Sequence, residues 1–142
     1  MLDKEILYKP SRLKKQLHHL YLRKEEIEIF ADSIPGPNYD KPITGGTRNL
    51  NAPFIKWLDK IEEINQKIKE VEDDLSKTVE SILTYISKIS NSDYQDVLIL
   101  YFINGMSLSQ ISNKIFVSIK TVKRWKYRAI VEFEKLTPIV PK

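Results

Sequence analysis

Between residues 107 and 129 the chain reads SLSQISNKIFVSIKTVKRWKYRA, with six lysines and arginines and no acidic side chain. Cationic side chains at that density, interleaved with serine and threonine hydroxyls, suit the neutralisation and hydrogen bonding of a polyanion such as a nucleic-acid backbone. The candidate contacts are Lys114, Ser118, Lys120, Thr121, Lys123, Arg124, Lys126, Tyr127 and Arg128. Lys120, Thr121 and Arg124 are of the types that read base edges in a major groove. Lys114, Lys123, Lys126 and Arg128 are better placed for phosphates, and Ser118 with the free N–H groups beside it can bind another. A basic amphipathic stretch can also be a solvated face or a partner-binding helix, so the choice depends on the elements that carry it.

The overall charge is +4, but its distribution is uneven. Residues 97–131 hold six basic and no acidic side chains, whereas residues 52–96 hold six basic and ten acidic ones. A polyanion-facing module attached to an acidic, solvated one is the simplest reading. The chain has no cysteine, which excludes a disulfide framework, a thiolate nucleophile and a cysteine-based zinc site. His18 and His19 are adjacent and point to different faces of a helix, so they read as surface residues rather than a metal or catalytic pair. Gly45-Gly46 lacks the lysine and the strand-to-helix setting of a phosphate loop and reads as a flexible turn. Nothing resembles an acid/base, nucleophile or metal constellation, so no enzyme and no cofactor are expected. The apolar runs are too short to span a bilayer and the start MLDKEILYKPSRLKK lacks the apolar stretch of a signal peptide, which points to a cytoplasmic protein.

The patterning predicts an all-α fold. A first helix is expected from about Ser11 to Ser33, with Leu13, Leu17, Leu20, Ile27, Ala31 and Ile34 at spacings of three and four, Pro10 before it and Pro35 ending it. Residues 34–53, with four prolines and three glycines, read as a loop. A second helix is expected from about Ala52 to Ser90, where Phe54, Trp57, Ile61, Ile64, Ile68, Val71, Leu75, Thr78, Ile82, Tyr85 and Ile89 form a heptad seam. At about 38 residues it would run roughly 57 Å, which favours a coiled coil or helical hairpin over a compact core helix. A shorter first helix folded back on it leaves Ile82, Tyr85, Ile86 and Ile89 to be covered by the following domain or by a second copy of the chain, so a homodimer through the N-terminal helices is one expectation. Residues 1–90 thus read as hairpin and residues 91–142 as a separate domain.

In that second part, Ser92 or Asp93 can cap a third helix over about Asp93 to Ile103, closed by Asn104-Gly105. Ser107 and Gln110 have capping-box spacing for a fourth helix to about Ile115. Phe116-Val117-Ser118 is a turn, and Ser118 can cap a fifth helix to about Leu136. Leu108, Ile111, Ile115, Val122, Trp125, Ala129 and Phe133 fall at core spacing. Two helices joined by three residues, the second basic, make a helix-turn-helix, which places the basic stretch where double-stranded DNA would be read.

GMSLSQISNKIFVSIKTVKRWKYRAIVEF resembles region 4 of the σ70 family, with Leu108, Ile111, Val117, Ser118, Thr121, Val122, Arg124, Ala129 and Phe133 matching its motif. Phe116 stands where that family usually has a turn glycine, and Ile119-Lys120 replaces the basic-acidic pair that reads the promoter −35 element. The order of leading helix, proline- and glycine-rich loop, heptad helix and region-4-like module is similar to the ArpU/RinA group of phage and prophage late-gene activators. That resemblance implies sequence-specific DNA binding and activation of host RNA polymerase, without reading of the standard −35 sequence. Two other readings stay open: a small-terminase-type packaging protein that binds DNA as an oligomer, and a coiled-coil interaction protein that binds polymerase without touching DNA.

Overall fold

In the computed structural model, residues 2–33 and 52–138 are described. All their regular structure is helical: α1 (Glu5–Ser33), α2 (Ala52–Ile86), α3 (Ser92–Leu98) continued by a π-helical turn (Ile99–Ile103), α4 (Leu108–Ile115) and α5 (Ile119–Glu134). The loop expected at 34–53, with Gly45-Gly46, lies outside the described residues up to residue 51. The chain forms two compact units, one of Lys15–Asp73 and one of Met1–Lys14 with Asp74–Lys142. Compactness therefore divides the chain elsewhere than at residue 90.

The first unit pairs the later part of α1 with the earlier part of α2. The Tyr21 hydroxyl donates to Glu72 Oε1 at 2.8 Å, and the Phe30 and Trp57 rings lie 4.7 Å apart, so the two helices run antiparallel. The hydrogen bond to Glu72 holds the Tyr21 phenol above its usual range. Along the seam, Ala31 and Ile68 are buried and Trp57, Ile61, Ile64 and Val71 half-buried, while the positions between them are mostly exposed. His18 and His19 are both exposed on α1.

The second unit contains the C-terminal helices and the ends of α1 and α2 that close over them. Helix α1 begins six residues before the expected Ser11, and Pro10 lies inside it. Asp3 opens the helix by accepting from the Glu5 N–H at 3.0 Å. Proline this close to a helix start forfeits one hydrogen bond, to the carbonyl four residues back. Leu7 and Pro10 are fully buried, and that burial offsets the loss. Helix α2 ends at Ile86 rather than Ser90, leaving Ile89 in the connection, where it is still buried.

One core cluster joins Leu2, Leu7, Ile82, Tyr85, Ile86 and Ile89 to Leu98, Phe102, Ala129 and Phe133. The seam residues from which a homodimer was expected are thus covered by the chain's own helices. Leu2 also donates its N–H towards the Glu134 and Leu136 carbonyls, at 3.2 and 3.1 Å, which satisfies acceptors left over where α5 ends. A second cluster holds Val97, Leu100, Ile111 and Val122, with Leu108, Ile115, Val117 and Trp125 packed on it.

The α3 segment lies between the two clusters and contributes to both. Asn91 caps it, accepting from the Asp93 and Tyr94 N–H groups; Ser92 and Asp93, the expected caps, are its first helical residues. Its last turn widens to a π-helix, with Asn104 N–H reaching the Ile99 carbonyl at 3.0 Å. Ile99 to Ile103 are five consecutive apolar residues, and all are at least half-buried, with Leu100 facing one cluster and Phe102 the other. Gly105, at φ +70°, then turns the chain towards α4.

Candidate nucleic-acid interface

Two local devices set the pitch and start of the helix-turn-helix. Ser107 accepts from the Gln110 N–H at 3.1 Å while Gln110 Oε1 accepts from the Ser107 N–H at 2.9 Å, so the capping box read from the spacing is formed on both sides. At the turn, Val117 donates its N–H to the Ser112 carbonyl at 3.2 Å and the Ser112 hydroxyl donates back to the Val117 carbonyl. Phe116 makes the reversal in the left-handed region, at φ 60°. Ser118 then caps α5, accepting from the Thr121 N–H at 3.1 Å.

Helix α5 buries Val122, Ala129 and Phe133 completely, and Trp125 is half-buried over the second cluster. That anchoring fixes which side chains face outward. Ile119, Lys120, Lys123, Arg124, Tyr127 and Arg128 are exposed, and Lys114 is exposed at the end of α4. Lys120, Arg124 and Tyr127, at steps of four and three, form a row along the side of α5 away from its buried stripe. The ion pairs among the described residues, Lys9–Asp74, Lys24–Glu28 and Lys135–Glu132, involve none of these cations.

Three of the sequence-chosen contacts have other tasks. Thr121 is half-buried and its hydroxyl lies 2.8 Å from the Ser118 hydroxyl, so it belongs to the helix cap rather than to a base-reading row. Ser118 is occupied by the same cap, its side chain accepting from the Thr121 N–H. Lys126 is half-buried with its ammonium 4.0 Å from the centroid of the Tyr101 ring, a cation–π contact that ties α5 to the π-turn. Ile119, which is not among the contacts expected from the sequence, is exposed beside them in the first turn of α5.

The outward side of α5 from Ile119 to Arg128 therefore offers an acid-free surface of ammonium and guanidinium groups. Residues 33–134 match the family model described as "Protein of unknown function (DUF1492)". The chain belongs to the DUF1492 family. The DUF1492 match takes in α2 to α5, so every candidate contact lies within it. No curated protein and no solved structure matches the chain. Among the described residues of this DUF1492 chain, no helix is long and apolar enough to cross a membrane.

Proposed function

We propose that the chain is a sequence-specific DNA-binding transcriptional regulator, with α5 entering the major groove and Lys114, Lys123 and Arg128 bracing it on phosphates. The observation that carries this reading is the outward row of α5: Lys120, Arg124 and Tyr127 are exposed together, in a stretch from 97 to 131 without a carboxylate, at the first turns of a helix held by caps and core on its other side. One α-helix fits a major groove, arginine and lysine read guanine there, and flanking cations neutralise the backbone. The finer reading, a phage-type late-gene activator that works with host RNA polymerase, rests on the resemblance to region 4 of σ70 and to the ArpU/RinA group.

Binding of the full chain to duplex DNA, followed by fluorescence anisotropy over a salt series, tests the proposal. Affinity is expected to fall linearly on a log–log plot, and Lys123→Ala and Arg128→Ala are each expected to flatten the slope by about one unit. An affinity that does not respond to salt, or no binding at any salt, contradicts it.

A further inference from the structure

The outward surface of α5 is not purely polar. Ile119 is 50% exposed at the first helical position. It is followed on the exposed side of the helix by Lys120, Lys123, Arg124 and Tyr127, at steps of one, four, five and eight. It belongs to neither core cluster, and anchoring of the helix is already supplied by Val122, Ala129 and Phe133. Helix propensity does not favour it either, since β-branched isoleucine is a weaker helix former than lysine or arginine. An aliphatic side chain in a field of cations fits a surface that is anionic overall and apolar at one point. The major groove has both properties: phosphates along its walls and the thymine 5-methyl group on its floor. Thr121, the other uncharged side chain at the start of α5, is turned into the cap.

We infer that Ile119 is a specificity-determining residue that packs on a thymine methyl group, so the DNA sites bound by this chain carry a thymine facing the first turn of α5. The inference rests on the DNA-binding reading above and adds the base to it. Lys120 and Arg124 supply hydrogen bonds on the same surface, but hydrogen bonding alone does not distinguish a thymine from a uracil. Only the methyl group does.

That difference gives the test. The full chain is used to select duplexes from a random library, and the selected duplex is then assayed with each thymine replaced in turn by uracil, which removes the 5-methyl group and keeps the base pairing. At one position of the bound site, uracil is expected to weaken the wild-type chain and Ile119→Val by roughly threefold to fivefold, the worth of one buried methyl-sized group. Ile119→Ala is expected to bind with the same salt slope and to be indifferent to uracil at that position. Uniform tolerance of uracil by the wild type, retained sensitivity in Ile119→Ala, or complete loss of binding in Ile119→Ala overturns the inference and leaves the DNA-binding reading standing. Recovery of no duplex from the library overturns both.

Discussion

Phe116 adopts φ 60° with its ring 92% exposed, in the turn between the two helices of the candidate interface. A side chain with a Cβ costs about 1–2 kcal/mol in the left-handed region, and an exposed ring recovers little of that through burial. Phe116→Gly removes the strain at the expense of a more flexible unfolded chain, so it is expected to raise stability by about 1 kcal/mol in urea unfolding. A loss of stability would show that the ring supports the turn. The caps beside it were legible in the sequence, because Ser107, Gln110 and Ser118 find their partners within three residues. The tasks of Thr121 and Lys126 were not. The Thr121 hydroxyl is taken up by the Ser118 hydroxyl 2.8 Å away, and Lys126 is claimed by Tyr101, a partner that only folding brings near.

The helices themselves were set by apolar period, and their ends by tertiary packing. Spacing of three and four identified α1, α2, α4 and α5, and from Trp57 to Tyr85 the long seam of α2 is its more buried side. The start of α1 lies ahead of the expected Ser11 because Pro10, a boundary by residue type, is buried inside the helix, and Leu7 before it joins the core formed with α2 and α5. The π-turn at Ile99–Ile103 has no periodic sign at all: five apolar residues in succession fit any element buried on several sides. The early residues of α1 are thus part of the core under α5, and Leu7→Ala is expected to destabilise the unit by about 2–5 kcal/mol, read from the denaturation midpoint. An effect below about 1 kcal/mol would mean that the first turns of α1 are dispensable for the helix-turn-helix.

Across the whole chain, the fold class and the charge asymmetry were legible because both are sums over many residues, insensitive to any one position. The division into units was not, since the stretch from 1 to 90 looks like one continuous hairpin while its ends serve the C-terminal core: Leu2, Leu7, Ile82, Tyr85, Ile86 and Ile89 pack with Ala129 and Phe133. The same packing accounts for the seam that a second copy was invoked to cover. The end of α4 and α5 as far as Arg128 form an exposed surface without a carboxylate, whereas α1, α2, α3 and the last turn of α5 all carry carboxylates. Amide chemical shifts of the isotope-labelled full chain, followed by NMR as duplex DNA is added, test that placement most directly. Changes concentrated at Lys114 and from Ser118 to Arg128, with Lys15–Asp73 undisturbed, are the predicted result; no changes, or changes confined to the Lys15–Asp73 unit, would contradict it.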